Sequence, residues 1–268
     1  SNNVISNNTI TNSGWGIYSF SVSNNTIENN IITNNVYGIN LEWVTTHTVR
    51  NNTITNHQQA GIYLRESRNN VFTNNIIENN KDAIVLGGSN NKICHNNFID
   101  NTSPGFGGTA EWDNGYPSGG NYWSDYAGAD LYSGPYQNET GSDGIGDTPY
   151  TYWPDRYPLM KPFNTYNAGT WNGKTYKVDI VSNSTVSNFQ INVTANAISF
   201  NVTGAEGTTG FTRITIPNVI VQNLWQGNYT VTVNGKPRPF TNQTDSENTY
   251  IYLTYNHSEL TITIIQEF

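Results

Sequence analysis

The sequence predicts an all-β protein: a right-handed parallel β-helix, an aromatic and glycine-rich capping segment, and an immunoglobulin-like β-sandwich. Three observations predict this arrangement. The first hundred residues carry an Asn-rich repeat, the next stretch is dense in Gly, Pro and aromatic residues, and the C-terminal stretch alternates apolar with polar residues. The expected boundaries are residues 1–101 for the coils, 102–168 for the cap and 169–268 for the sandwich.

Five N-terminal segments align with one another, and their starts are 22, 22, 23 and 21 residues apart. The segments are Asn2–Ser13, Asn24–Asn35, Thr46–His57, Asn69–Asn80 and Asn90–Asn101. A period of this length is typical of one coil of a solenoid with short strands and tight corners. Leucine-rich repeats have a similar length, but their leucine framework is absent from this sequence.

Apolar residues of the repeat stack in three columns, which we expect to fill the interior of the coils. The columns are Ile5/Ile27/Val49/Phe72/Ile93, Ile10/Ile32/Ile54/Ile77/Ile99 and Ile17/Ile39/Ile62/Ile84. A further column, Asn8/Asn30/Asn52/Asn75/Asn97, predicts a ladder of stacked amides, because Asn tolerates left-handed corners and its amide pairs with another one coil above. The preceding Asn7, Asn29, Asn51, Asn74 and Asn96 are expected to face outward.

The repeat resembles that of the NosD-like parallel β-helix family, within the wider group of carbohydrate-binding proteins and sugar hydrolases. Two later segments add to the resemblance: residues 112–126 (WDNGYPSGGNYWSDY) and 141–150 (GSDGIGDTPY) are similar to the segment that closes many archaeal NosD-like β-helices. The resemblance covers residues 1 to about 163. It implies a fold, and a fold alone implies no particular activity.

The composition restricts the classes of partner. A net charge of −8 argues against nucleic acid, since phosphate contacts require Lys and Arg. No run of 18 apolar residues is present, so no membrane span is expected in this segment. Cys94 is the only cysteine, which leaves no intrachain disulfide. The chain begins without Met, and we interpret it as a trimmed segment.

Asn-x-Ser/Thr sequons predict an extracellular, glycosylated protein at the cell surface. The candidate glycosylation sites are Asn7, Asn24, Asn51, Asn101, Asn138, Asn183, Asn192, Asn201, Asn228, Asn242 and Asn256.

Charged residues of the coils favour a structural role over a catalytic one. The alignment places Glu28 below Arg50 and Glu42 below Arg65, which predicts exposed ion pairs between coils. Glu42 and Glu66 could reach the carboxyl separation of about 6.5–9.5 Å found in inverting glycosidases, but no other feature supports that role. We therefore expect no catalytic residue and no enzymatic activity. Copper-site maturation is also disfavoured, because the soft donors stand alone.

The capping segment offers two kinds of candidate site. Trp112, Trp123 and Trp153 are candidates for stacking on sugar rings, although a role in the core of the cap is the alternative. Asp143 and Asp147 flank two glycines and are candidate ligands of Ca²⁺. Their alternative role is to accept hydrogen bonds from amides of the local turn.

The C-terminal region predicts seven strands without a helix, which is typical of an immunoglobulin-like sandwich. The strands are expected at 176–182, 188–194, 197–203, 211–216, 229–234, 249–255 and 260–266. Asn234-Gly235 predicts a tight hairpin. The region resembles the sandwich that follows repeat regions in archaeal surface proteins, which implies a membrane anchor beyond residue 268.

The first coil has no cap before it, so we expect either that further coils precede it or that another copy of the chain covers this end of the β-helix. Such a head-to-tail contact builds open assemblies. The sequence therefore predicts a structural surface protein that self-associates into a surface layer, sheath or filament. A glycan-binding module is the alternative, and a polysaccharide lyase or hydrolase is a weaker one.

Overall fold

The computed structural model describes residues 1–267 and divides the chain into two compact units. The first unit contains Ser1–Ala129 and Gly146–Leu159, and the second contains Asp130–Ile145 and the chain from Met160 onward. The segment predicted as a cap, residues 102–168, is shared between the two units.

The first unit is built from short strands. In chain order they are β1 (Val4–Ser6), β2 (Thr9–Thr11), β3 (Trp15–Phe20), β4 (Thr26–Glu28), β5 (Ile31–Thr33), β6 (Tyr37–Glu42), β7 (Thr48–Arg50), β8 (Thr53–Thr55), β9 (Ala60–Arg65), β10 (Ser67–Arg68), β11 (Val71–Thr73), β12 (Ile76–Glu78), β13 (Asp82–Leu86), β14 (Gly88–Ser89), β15 (Asn91–Ile93), β16 (Asn97–Ile99), β17 (Ser103–Gly107), β18 (Ala110–Glu111) and β19 (Tyr122–Trp123).

These strands form three parallel sheets along the solenoid. The sheet orders are β1-β4-β7-β11-β15-β18, β2-β5-β8-β12-β16-β19 and β3-β6-β9-β13-β17, with β10 and β14 forming a further pair. Each sheet takes one strand from each successive coil, which confirms the prediction of a parallel β-helix of the right-handed type with about five coils. Ile columns fill the interior, where residues such as Ile39 and Ile62 have no exposed surface.

Each corner between the short strands uses two consecutive residues with different tasks. The first residue has a positive φ of 48–61° and turns the chain, a conformation that Asn tolerates better than most residues. The turning residues are Asn2, Asn7, Asn12, Asn24, Asn29, Asn34, Thr46, Asn51, Asn56, Asn69, Asn74, Asn79, Asn90, His95 and Asp100. The second residue sends its side chain inward. The doublet Asn-Asn therefore predicts a corner, in which the first residue turns the chain and the second directs its side chain inward.

The inward residues form three polar ladders, one for each of the three corners of the coil. A single ladder was predicted from the sequence. The ladders are Asn3/Asn25/His47/Asn70/Asn91, Asn8/Asn30/Asn52/Asn75/Asn96/Asn121 and Ser13/Asn35/His57/Asn80/Asn101. In a typical rung, the backbone N–H and the Nδ2 of Asn52 both donate to Oδ1 of Asn75, each at 3.0 Å. The rungs satisfy buried backbone groups that the short strands leave at each turn.

In the fifth coil, the first apolar column is confirmed at Ile93, but the predicted Asn ladder and the second apolar column are wrong. Asn96 is the buried ladder residue and Asn97 follows it in β16, whereas the sequence placed Asn97 in the ladder and Asn96 outside. Phe98 pairs with Ile77, so it replaces Ile99 in the second apolar column. The cause is His95, which takes the left-handed corner position that Asn holds in the coils below, so the doublet Asn96-Asn97 lies one residue out of phase.

The second ladder ends on a buried carboxylate. Asn121 donates its backbone N–H to Oδ2 of Asp155 at 2.7 Å, and Nε1 of Trp123 donates to the same oxygen at 2.9 Å. Oδ1 of Asp155 accepts the backbone N–H of Tyr157 at 3.2 Å. Asp155 has no exposed surface, and burial raises its pKa to about 7.

The second unit is antiparallel. Its elements are β20 (Tyr132–Ser133), β21 (Glu139–Thr140), β22 (Phe163–Trp171), β23 (Lys174–Ser182), β24 (Thr185–Asn192), β25 (Ala197–Thr203), β26 (Thr209–Pro217), α1 (Asn218–Trp225), β27 (Tyr229–Val233), β28 (Lys236–Pro237), β29 (Thr241–Thr244), β30 (Asn248–Asn256) and β31 (Leu260–Gln266). Two five-stranded sheets, β22-β23-β26-β30-β29 and β24-β25-β31-β27-β28, enclose one apolar core. The antiparallel strands agree with the predicted class, and the immunoglobulin-like assignment stays a prediction.

The prediction of a helix-free sandwich is wrong at Asn218–Trp225, where α1 buries Ile220, Val221, Leu224 and Trp225 against the core. Strands β22, β28 and β29 were also not predicted. The hairpin at Asn234-Gly235 is confirmed: both residues have a positive φ and they join β27 to β28. Within residues 1–267, no helix is long and apolar enough to cross a membrane.

Candidate functional site

Three aromatic side chains project side by side from the outer face of β3. Trp15, Tyr18 and Phe20 are each 46–54% exposed. The ring centroids of Trp15 and Tyr18 are 4.9 Å apart and those of Tyr18 and Phe20 are 6.4 Å apart, with interplanar angles of 23° and 26°. Large apolar rings are rarely left to solvent in a cluster without a binding role.

The next two coils extend this surface. Tyr37 lies above Trp15, and Tyr63 lies two coils above Tyr18 in the same sheet. The rings of Tyr37 and Tyr63 meet edge to face, with centroids 5.5 Å apart. We call Trp15, Tyr18, Phe20, Tyr37 and Tyr63 the aromatic face. Since parallel strands are about 4.8 Å apart, it extends for roughly 10 Å along the solenoid.

Polar groups lie between the rings. Asn40 is directly above Tyr18 and below Tyr63, and it is only 3% exposed. Its Nδ2 donates to Oε1 of Glu42 at 3.3 Å, while its Oδ1 has no hydrogen-bond partner within residues 1–267. Glu42 lies above Phe20 and pairs with Arg65 of the next coil at 3.8 Å. The site therefore combines exposed ring faces with a carboxylate whose orientation is fixed by a buried amide.

Both predicted ion pairs between coils are confirmed. Nη2 of Arg50 lies 2.7 Å from Oε2 of Glu28, and Nη1 of Arg65 lies 3.8 Å from Oε2 of Glu42. Glu66, the second carboxylate considered for catalysis, occupies the corner directly after β9 with a φ of 49°. Glu42 is the last residue of β6 and lies beneath Arg65, so the two carboxylates come from neighbouring positions of adjacent coils, one in a strand and one in a corner.

The three tryptophans predicted to contact glycans lie inside the first unit. Trp112, Trp123 and Trp153 are at most 6% exposed. Trp123 stacks on Phe98 at 4.2 Å and on Tyr150 at 4.4 Å, and Trp112 stacks on Trp153 at 4.6 Å. These rings form the core that the sequence offered as their alternative role. A glycan contact by them would require this interior to open, and their glycan-binding role stays a prediction.

The two calcium candidates belong to different units. Asp143 is part of the second unit, where its Oδ1 accepts the backbone N–H of Ile145 at 3.0 Å. Asp147 is part of the first unit, where its backbone N–H donates to Ala129 at 2.8 Å. No group of three or more His, Cys, Asp or Glu side chains that could hold a metal ion occurs in the described part of the chain. Calcium binding stays a prediction.

The candidate glycosylation sites differ in accessibility. Asn7, Asn24, Asn138, Asn183, Asn192, Asn228, Asn242 and Asn256 are exposed, whereas Asn51, Asn101 and Asn201 are half-buried. Asn101 is a ladder residue, and its Nδ2 donates to Ile77 at 2.8 Å. A glycan on that nitrogen would interrupt the rung. Glycosylation of all these sites stays a prediction.

Comparison with known proteins shows what the coils are similar to. Residues 1–128 match the model of a family described as periplasmic copper-binding protein (NosD). No protein of curated function matches the chain. The enzymatically active domain of tailspike protein 2 from bacteriophage CBA120 is a similar solved structure, with 10% sequence identity and a TM-score of 0.35. The alignment covers 98% of this chain and 47% of that one, so this chain spans about half its length.

The expectation that the chain has no enzymatic activity is corrected by this comparison. The similar structure is described as an enzymatically active domain, which conflicts with that expectation. A similarity at this level shows no activity for the present chain.

The side chains of the coils do not fit the copper named in the family description. Cys94 is buried, and burial raises the pKa of its thiol to about 11, which keeps it protonated. His47 and His57 are ladder residues, and one ring nitrogen of each serves the ladder: Asn25 approaches Nε2 of His47 at 3.1 Å, and the Asn35 N–H donates to Nδ1 of His57. The single Met, Met160, belongs to the second unit. A copper site needs several thiolate, thioether or imidazole ligands directed at one point, and these side chains do not provide such a set.

The sequence did not reveal the aromatic face. Trp15, Tyr18 and Phe20 are spread over six residues of β3, and their outward direction depends on the register that stacks Ile17 beneath Ile39. The sequence feature that could have predicted this face is the concentration of aromatic residues beside the Gly-Ile motif of the first coils. These residues stand at positions that are not part of the interior columns.

Proposed function

We propose that the parallel β-helix binds glycan chains on its aromatic face. The observation that carries this proposal is the row of exposed, nearly parallel rings of Trp15, Tyr18 and Phe20. The apolar faces of sugar rings pack on aromatic rings, and sugar hydroxyl groups pair with nearby polar side chains. Glu42 and Arg65 supply such side chains beside Phe20. Ligand sites of this kind combine apolar walls with a few fixed polar groups.

The binding surface belongs to rigid secondary structure. Strands β3, β6 and β9 are held by parallel pairing and by the Ile column beneath them, so the rings need little ordering when a ligand arrives. The length of the face suits an extended oligosaccharide better than a single sugar. This arrangement supports binding independently of whether the bound glycan is also cleaved.

The test is binding of a glycan panel to the full chain and to two variants, Trp15→Ala and Tyr18→Ala. Both side chains are about half exposed, so the variants should fold. Loss of one ring contact of about 1.4 kcal/mol would weaken binding about tenfold. Tyr136→Ala is the matched control, because Tyr136 is more exposed than Trp15 or Tyr18 and belongs to the other unit. Equal affinities for all four proteins would contradict the proposal. Product release from the bound glycans, measured as reducing ends and as unsaturated sugars, would show whether cleavage accompanies binding.

We also propose that the chain acts outside the cytoplasm, since the family matching its coils is described as periplasmic. A position at the cell surface and assembly into a layer, sheath or filament remain predictions. Electron microscopy of the native material tests assembly directly: ordered sheets or fibres would support it, and isolated particles would contradict it.

A further inference from the structure

We infer that the aromatic face selects neutral glycans over glycans that carry uronic acids or other anionic groups. This inference rests on the glycan binding proposed above and names the class of ligand. The observations that carry it are the charges and hydrogen-bonding groups between the rings: Asn40, Glu42 and Arg65.

The first step concerns the acceptor groups of the site. Nδ2 of Asn40 donates to Oε1 of Glu42 and orients that carboxylate, while Oδ1 of Asn40 is itself buried. Glu42 adds a carboxylate, which accepts hydrogen bonds and donates none when ionised. A ligand must therefore bring donors to this position. Hydroxyl groups are donors, and an ionised carboxylate or sulfate is not.

The second step concerns charge. Arg65 is the cation of this site, and Glu42 already lies 3.8 Å from it. The pair leaves no net positive charge to receive an anion. An anionic sugar stacked on Phe20 would approach Glu42, and like charges at such distances disfavour binding.

The third step concerns strength. Hydrogen bonds from hydroxyl groups to a carboxylate are shorter and stronger than those between neutral groups. Glu42 is mostly covered, with 17% of its side chain exposed, so water competes weakly for it. Asn40 acts as a positioning residue, because it holds the carboxylate and does not itself need to touch the ligand.

The experiment compares neutral hexose oligosaccharides with uronic-acid oligosaccharides of the same length, on the full chain, at low and high salt. We expect neutral oligosaccharides to bind with little salt dependence, and their uronic-acid counterparts to bind at least about tenfold more weakly. Glu42→Gln should weaken neutral binding about tenfold or more, because it removes a charged acceptor. Arg65→Gln removes the cation and leaves Glu42, so uronic-acid oligosaccharides should bind still more weakly relative to neutral ones.

Glu28→Gln is the matched control, since Glu28 forms the same kind of ion pair between coils on a different sheet. Stronger binding of uronic-acid oligosaccharides, sensitive to salt and lost in Arg65→Gln, would overturn the inference and leave the proposed glycan binding intact. Neutral binding that Glu42→Gln and Glu28→Gln weaken equally would also overturn it. Absence of binding to either class would instead refute the proposed function itself.

Discussion

Replacing one central ladder residue should destabilise the first unit far more than replacing its neighbour. Asn52 is buried, and its Nδ2 donates to the backbone of Ile27 at 2.9 Å and of Arg50 at 3.0 Å, as well as to Asn75. Its Oδ1 accepts both the backbone N–H and the Nδ2 of Asn30. Asn52→Ala removes all of these side-chain bonds at once.

The magnitude follows from the groups left behind. The backbone N–H of Asn30 loses its bond to Oδ1 and stays buried, which costs about 1–3 kcal/mol. Nδ2 of Asn30 keeps its bonds to Ile5 and Glu28, and Oδ1 of Asn75 keeps the backbone N–H of residue 52. The two lost bonds to backbone carbonyls contribute about 0.5–1.5 kcal/mol each. We therefore expect Asn52→Ala to lower the free energy of unfolding by about 2–6 kcal/mol.

The control is Asn51→Gly at the adjacent corner residue. Asn51 has a φ of 55°, which Gly adopts without strain, so we expect a change below about 1 kcal/mol. The assay is guanidinium denaturation of the full chain followed by tryptophan fluorescence, because five of the seven tryptophans lie in the first unit. If Asn52→Ala unfolds at the same denaturant concentration as Asn51→Gly, the side-chain bonds of the ladder do not stabilise the coils.

Two further predictions concern pH. Burial lowers the pKa of both His47 and His57, so the unfolded chain binds more protons than the folded chain below about pH 6.5, and the first unit loses stability as the pH falls. The double variant His47→Asn, His57→Asn should therefore lose less stability than the wild type between about pH 7 and pH 5. An equal loss of stability in the two proteins over this interval would contradict the prediction. Burial raises the pKa of Asp155 to about 7, so the folded chain retains a proton that the unfolded chain releases near pH 4, and stability contributed by this group falls as the pH rises from about 4 to 7. The difference in unfolding midpoint between the wild type and Asp155→Asn should change across that interval, and a constant difference would show that Asp155 does not titrate there.

The sequence was sufficient to predict the coils because both the corner and the interior have strict requirements. A corner needs one residue that tolerates a positive φ and one that can pair with its counterpart above, and Asn-Asn supplies both. His47 and His57 were not predicted as ladder residues, because only the second of the three ladders was predicted from the sequence. In the structure, the Asn35 N–H donates to Nδ1 of His57, so this ring nitrogen accepts the hydrogen bond that an Asn amide oxygen accepts elsewhere in the ladder.

The second unit was predictable in class and less so in detail. Strands 197–203 and 260–266 agree with the sequence because their β-branched residues alternate regularly. The segment that forms α1, Asn218–Trp225, contains Val219, Ile220 and Val221, which favour strands. Its helical conformation is stabilised by burial of one face against the core. The N-cap residue, Pro217, makes no side-chain capping hydrogen bond, so the local sequence does not predict the helix.

The candidate site was the least predictable part, and the repeat itself explains why. In the third sheet, Ile17, Ile39, Ile62 and Ile84 occupy the same inward position in successive coils, because the interior accepts little variation. The outward position beside them holds Tyr18, Asn40, Tyr63, Val85 and Phe106. Packing of the solenoid does not require these residues to be aromatic or to be alike. The fold therefore does not explain why rings and polar groups are concentrated at the outward positions of the first three coils. Because these positions can vary freely, a solenoid can carry a binding site there without weakening its core.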